Sequence, residues 1–484
     1  MEAIHQIWRQ RKQLFHYFYV LWCKVTKIFC IFALKITKTC YYMKLLEQLE
    51  VTAKQEKNYL YVFILLAGCF ALWGFANSVT TPMVNAFSRI FRISTTEASL
   101  VPIAFNLGYF CMAIPAALFI QRFSFKKGII VGLVLYAVGS MFFMPAKMMG
   151  EFYAFLAAYF VLTCGLSFLE TSCNPYVCLM GSEKHSVQRL NLVQSFNALG
   201  TVVGMIVAME VHKGLNPWKA DVRASMPIQQ FNLLKDYDLG ILIQPYIYIV
   251  AVVMIILVLI AIVKFPHNES HEQKSTVMNS LHTLMHHENY REGVIAEFCY
   301  VGAQVACWTY IIQYGTRLFV AEGMLEFDAI VLSQKYNIIA LVCFASSRFV
   351  CTWLMQWLSP SRMLSILAII GMAALIGVII FTDRNGLYCL IAVSGCLSLM
   401  FPTIYALALK GVRDHAKIAG AGLIMAILGG SFFPPIQAIM IESDVSLFGL
   451  PSTNLSFILP LLCLAVVGWY GHRAYVRQSI SGIV

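Results

Sequence analysis

Glu170 is the only charged residue between positions 152 and 180, in the segment Cys164-Gly165-Leu166-Ser167-Phe168-Leu169-Glu170-Thr171-Ser172-Cys173-Asn174-Pro175. A carboxyl group in hydrocarbon costs several kcal/mol, so its presence points to a route for substrate, ions or protons. The competing reading is a carboxylate paired with a basic residue on another helix. Asn174 lies four residues on, hence on the same helical face, and Pro175 then withdraws a backbone donor. Three further stripes are visible. Trp73, Asn77 and Thr81 recur at i, i+4, i+8; Asn191, Gln194 and Asn197 share a broad face at steps of three; Glu297, Tyr300, Gln304 and Trp308 fall at i, i+3, i+7, i+11. Amides and hydroxyls both donate and accept, which suits a ligand with many hydroxyls, and Trp or Tyr rings stack on the C–H face of a sugar. Singly, each such residue is more often interhelical glue; the three stripes together favour a polyol-binding cavity.

The elements that carry these stripes are membrane helices. The chain is 59% hydrophobic and 12% charged, with mean hydropathy +0.72, whereas soluble domains are about 25% charged. Runs of about 18 or more apolar residues are candidate spans. Twelve are found, at 59–86, 98–120, 128–146, 152–180, 190–209, 243–263, 293–316, 336–357, 363–382, 386–409, 418–441 and 453–471. Only helices and closed barrels satisfy their backbone in lipid, so the expected fold is an all-α integral membrane protein of twelve transmembrane helices. A polar connection, 265–292, divides the spans into two six-helix halves, 57–264 and 293–484, the organisation of the major facilitator superfamily, in which substrate binds near the midplane between the halves. Gly420, Gly422, Gly429 and Gly430 before Pro434-Pro435 suit close packing or flexing.

Lys and Arg in short loops set orientation. Arg122, Lys126, Lys127, Lys184, Arg189, Lys264, Lys274, Arg291, Arg362, Lys410, Arg413 and Lys417 fall in the even-numbered loops, which places both termini in the cytoplasm. Arg89, Arg92, Arg317 and Lys335 fall on the opposite side. The net charge of +11 reads as this juxtamembrane bias and not as affinity for nucleic acid. Most of the fifteen cysteines lie inside apolar runs, where they act as small hydrophobes, and no Cys/His spacing resembles a metal site. No nucleophile–base pair or phosphate loop suggests an enzyme. Residues 1–56 form an N-terminal extension whose basic, aromatic first 42 residues lack a signal-peptide cleavage site; a native start at Met43 is expected.

Trp73-Gly74-Phe75-Ala76-Asn77, the Gly165–Pro175 segment, Arg189–Asn197 and Cys299–Trp308 resemble the L-fucose:proton symporters, as do Arg348-Phe349-Val350-Cys351-Thr352-Trp353 and Phe401-Pro402-Thr403-Ile404-Tyr405. The likeness runs from about 59 to 476. It implies secondary active transport in a bacterial inner membrane: proton-coupled uptake of L-fucose or a related monosaccharide, without a cofactor beyond the proton gradient, by a monomer. A galactose or glucose symporter, an uncoupled uniporter and, more distantly, a membrane sugar sensor are the alternatives. By the same resemblance Glu170 is the protonatable coupling residue, Gln194 and Asn197 contact sugar hydroxyls, and Tyr300, Gln304 and Trp308 line the opposite wall. Thr81 is a departure, since such symporters carry a carboxylate there. Either Glu170 couples alone, or Glu297, near the start of span seven, assists it unless it is an interfacial residue reached by water. Arg348 is expected to pair with a loop carboxylate or with Glu297.

Overall fold

The computed structural model describes residues 53–480 except 94, 99, 181–182, 217–221, 224, 267–276 and 444–448. The candidate start at Met43 lies outside them. The chain divides into two compact units, Met1–Leu60 and Tyr61–Val484, and all packing described below belongs to the second.

Among the described residues, twelve helices are long and apolar enough to cross a membrane. They are α1 (Ala53–Phe91), α2 (Leu100–Arg122), α3 (Phe125–Met149), α4 (Phe152–Leu179), α5 (Glu183–Gly214), α6 (Ile228–Ile262), α7 (Glu288–Ala321), α8 (Glu326–Leu354), α9 (Pro360–Ile380), α10 (Arg384–Ala408), α11 (Ala416–Glu442) and α12 (Ser452–Ile480). Each contains or overlaps the apolar run expected of it, in the same order. Most are longer than their runs, because helix geometry continues into polar ends that hydropathy does not register. Local signals set several boundaries. Ser124 caps α3 by accepting from the Lys127 amide at 3.2 Å, Asp383 caps α10 by accepting from the Asn385 amide at 3.0 Å, and Pro360 opens α9, where a missing N–H costs nothing. Within the polar connection a short helix, Val277–His286, precedes α7.

Large apolar side chains such as Ile255, Ile369 and Leu462 point outward, each about 60% exposed (61%, 59% and 61%). An apolar exterior on this scale belongs in lipid. Inside, α3 and α2 pack on α4, α6 on α3, α9 on α10 and α12, and α7 on α8, α11 and α12. The first six helices meet the last six where α5 packs on α8 and α10, and where α11 packs on α2 and α4.

Two glycines set these approaches. A Cβ on Gly74 would strike the Asn197 carbonyl, so α1 lies directly on α5; one on Gly429 would strike the Phe298 carbonyl, so α11 lies directly on α7. Gly420 and Gly422 of α11 likewise press on Tyr405 and Tyr290.

Among the interruptions within the described helices, those of α11 and α10 bear on the interface. In α11 a 3-10 turn, Ala426–Leu428, separates Ala416–Met425 from Gly429–Glu442. In α10 the helix Arg384–Leu397 gives way after Leu397 and resumes as Met400–Ala408. Pro402 contributes to the second break, because it has no N–H for the Ser398 carbonyl four residues back.

Burial shows which end of the interface is shut. At the end where the linker joins α6 to α7, residues 162–180 of α4, 186–196 of α5 and 393–409 of α10 are buried on every side. Toward the other end exposure returns, at Tyr153 and Ala157 of α4 and, partially, at Val202, Val203 and Met205 of α5. The basic residues at that far end are held locally. Arg89 donates to the Asn216 carbonyl at 3.1 Å, Arg92 sits 3.5 Å over the Phe231 ring, Arg223 pairs with buried Asp238 at 2.6 Å, and Arg317 donates to Thr453 at 2.6 Å.

Candidate functional site

Most hydroxyls inside the spans are absorbed by their own helices. Thr80, Thr163, Ser172, Ser195, Ser333 and Thr352 each donate to the carbonyl four residues back, the usual way such side chains are satisfied in lipid. Against that background a set of buried polar atoms at mid-depth has no hydrogen-bond partner: both carboxyl oxygens of Glu170 and of Glu297, Tyr109 Oη, Thr171 Oγ1, Asn174 Nδ2, Asn191 Oδ1, Trp308 Nε1 and Tyr405 Oη. Buried polar groups are nearly always paired, so such a concentration calls for an explanation.

Glu170 is 2% exposed. The Tyr109 hydroxyl faces it from α2 without closing a well-formed hydrogen bond, and Cys173 is a further neighbour. One turn on, the Asn174 carbonyl oxygen accepts from Gln194 Nε2 at 3.0 Å, which ties α4 to α5 and leaves the Asn174 amide nitrogen unused. Asn197, partly exposed, donates to the Phe70 carbonyl of α1 at 3.3 Å. Trp73 packs against Phe401 of α10 across the interface, ring centroids 6.0 Å apart. Asn77, one turn farther from the linker end on the same face, is exposed; an exposed amide on that face belongs to the open part of the interface and not to lipid. Thr81 lies within α1, but its side chain is not described.

From the second half, Glu297 is fully buried, two and a half turns into α7, so in this structure water does not reach its carboxyl. Glu170 of α4 and Tyr405 of α10 belong to the same buried cluster. Tyr300 is fully buried; its hydroxyl donates to the Leu397 carbonyl at 3.1 Å, a carbonyl released by the α10 break, and its ring lies tilted against Phe401, centroids 6.4 Å apart. Gln304 and Trp308 are partly exposed; the Trp308 ring meets Phe344 edge-on at 4.9 Å. Asn191 donates to Val187 O at 2.9 Å and to Thr403 Oγ1 at 3.0 Å, so it joins the halves and leaves the stripe that Gln194 and Asn197 continue.

Arg348 corrects a sequence expectation. It is 2% exposed, and among the described residues it forms no ion pair. Its guanidinium instead donates to two carbonyls, those of Ser398 and Gln194, and lies 4.5 Å over the Phe344 ring. Tyr109 and Tyr405 join this cluster without a signal of spacing in the sequence: each is an isolated tyrosine outside any stripe, although Tyr405 closes a recognised motif. Among the described residues no three His, Cys, Asp or Glu side chains converge as a metal site would.

The arrangement can hold one neutral acid beside a cluster of amides and rings, closed at one end and open at the other. Comparison with known proteins follows the same lines. Residues 66–434 match the family model of the Major Facilitator Superfamily. An L-fucose-proton symporter of Haemophilus influenzae is 43% identical over 429 residues, covering 87% of this chain and 98% of the relative. An L-fucose-proton symporter of Escherichia coli is 33% identical over 421 residues, covering 86% and 93%. A glucose/galactose transporter of Brucella abortus is 27% identical over 429 residues, covering 87% and 96%. Among solved structures, the Major Facilitator Superfamily transporter FucP in the outward conformation superimposes with a TM-score of 0.76 at 31% identity, covering 86% of this chain and 99% of that one.

Proposed function

From its membership of the Major Facilitator Superfamily, to which this chain belongs, we infer that it is a sugar:proton symporter that takes up L-fucose or a close monosaccharide by alternating access. The observation that carries the reading is Glu170: a buried carboxyl without a cation, beside the Asn174–Gln194 amide pair. Relatives named for L-fucose stand at 43% and 33% identity, and those named for glucose and galactose at 27%, which favours the deoxyhexose.

The residues divide the work. Glu170 takes the proton: without a counter-ion it is stable in the closed interior as the neutral acid. Sugar hydroxyls bond to the unused amide of Asn174 and to Gln194, Asn197, Asn77 and Gln304, while Trp73 and Trp308 offer flat apolar faces. The ring of Tyr300 supports that wall from behind. Glu297, the other buried carboxyl whose oxygens find no hydrogen-bond partner among the described residues, assists, and takes the place of a first-helix carboxylate, absent at Thr81. Binding of sugar and proton to the open end then favour one another, and rocking of the halves exposes both to the linker end. That end is the cytoplasm in this reading, with both termini there and the bilayer the bacterial inner membrane. The protein works as a monomer without a cofactor.

The test is uptake in proteoliposomes with a pH dye inside, offered L-fucose, D-galactose and D-glucose in turn. Acidification with L-fucose is expected. Glu170→Gln should abolish proton uptake and retain counterflow of labelled sugar; proton uptake equal to wild type in that variant would remove Glu170 from the mechanism.

A further inference from the structure

Among the described residues Arg348 is a buried cation without a carboxylate, and the transport reading leaves it unexplained. Its surroundings come from two sides of the interface. On its own side, the break in α10 supplies the anchor. Pro402 cannot donate to the Ser398 carbonyl, which also sits at the carbonyl-rich end of Arg384–Leu397, where a positive charge is favoured. Arg348 Nε donates to that carbonyl, and Ser398 Oγ lies 3.2 Å from Ser347 Oγ. Across the interface, Arg348 Nη1 donates at 2.9 Å to the Gln194 carbonyl on α5. A helical carbonyl keeps a second lone pair for such a bond.

The flanking contacts bring the same two helices together. Gln188 Nε2 donates to the Thr352 carbonyl at 3.2 Å, and Phe196 meets Phe349 edge-on with centroids 6.4 Å apart. All lie in the linker-side half of the interface, the part that is shut.

We propose that Arg348 is the latch of the closed linker end: anchored in the second half by Ser398, it reaches across to the backbone of Gln194 and holds α5 against α8. Opening that end separates α5 from α8, which breaks the Gln194 bond and keeps the Ser398 bond. Gln194 also holds Asn174 through its side chain, so one residue joins the latch to the amide pair beside Glu170. The planar guanidinium suits the task because its donors diverge in a fixed fork; a lysine ammonium is a single point of charge. Arg348 acts through Gln194 and is a positioning residue. The latch holds whichever solute is carried.

Cys178 gives a native readout. It is buried, and it lines a cavity between the halves at the linker end, with Glu183 on its own side and Leu409 and Lys410 opposite. Opening that end uncovers it. Purified full-length protein in detergent would be treated with a water-soluble maleimide and each thiol followed by peptide mass spectrometry. Arg348→Met should speed modification of Cys178 about tenfold, the scale set by losing a hydrogen bond from a charged donor. Exposed Cys111 should react at the wild-type rate. Arg348→Lys should fall between the two, and it decides the matter if the Met variant does not fold. Wild-type Cys178 rates in the folded variants would overturn the proposal. So would faster reaction at every thiol, Cys111 and Cys463 included, since that is general loosening and not release of one end.

Discussion

Two glutamates five residues apart on α7 have opposite surroundings. Glu292, at the linker end, lies 2.9 Å from Arg473 and 2.8 Å from Arg477 of α12. Glu297 is fully buried and has no partner for either oxygen. Glu170 on α4 resembles Glu297 and not Glu292. The contrast separates two uses of a carboxyl group. With Arg473 and Arg477 beside it, Glu292 clamps α7 to α12. Without any cation, a buried carboxyl favours the neutral form, which can take up or release a proton as the surroundings change. Arg348 is the mirror case, a buried cation held by carbonyls, and it too lies at the interface between halves.

The largest effect should come from the uncompensated acids. Glu170→Gln is expected to eliminate sugar-driven acidification in proteoliposomes, and Glu297→Gln to lower it by a smaller factor. If the Glu297 variant instead lost all proton movement while Glu170→Gln kept it, the roles would be reversed. Next, removing both guanidiniums in Arg473→Ala/Arg477→Ala should lower unfolding stability in detergent by about 1–3 kcal/mol. That range lies between the values for exposed and buried pairs, because both arginines are partly solvated. A loss no larger than that of Glu297→Gln, expected within about 1 kcal/mol because glutamine matches the neutral acid in shape, would erase the distinction between clamp and proton site.

The smallest effect concerns an exposed pair at the ends of two spans, α7 and α10. Glu322, just beyond α7, meets Arg384 at 2.7 Å, and the guanidinium lowers its pKa. A carboxylate with a depressed folded-state pKa stabilises above its unfolded value, about 4.3, and loses that contribution as pH falls through the folded value. The stability gap between wild type and Glu322→Gln should therefore be constant above about pH 4.3 and close below it. A gap that widened with acid would contradict the assignment.

Much of this was legible without coordinates. The twelve helices follow from runs of apolar residues, since length and hydropathy alone decide whether a segment can satisfy its backbone in lipid. Glu170, Asn174 and the α5 amides were legible because an uncompensated polar residue in such a run is conspicuous. The stripe rule failed where two residues of the same type on one face met different neighbours. Asn191 bonds Thr403 across the interface, and Gln194 bonds Asn174 within its half. Tyr300 shares a face with Gln304, yet its hydroxyl is taken by Leu397.

What the sequence determined by itself is the membrane class, the order of the spans and which side chains are too costly in lipid to be there by accident. These depend on composition and on period along one helix. Tertiary structure alone decided that Glu297 is buried and unpaired, that Arg348 is held by carbonyls, and that the linker end is the shut one. Each depends on where a second helix lies, and Arg348 also on the break in α10, which frees the Leu397 and Ser398 carbonyls for Tyr300 and Arg348, two donors distant in sequence.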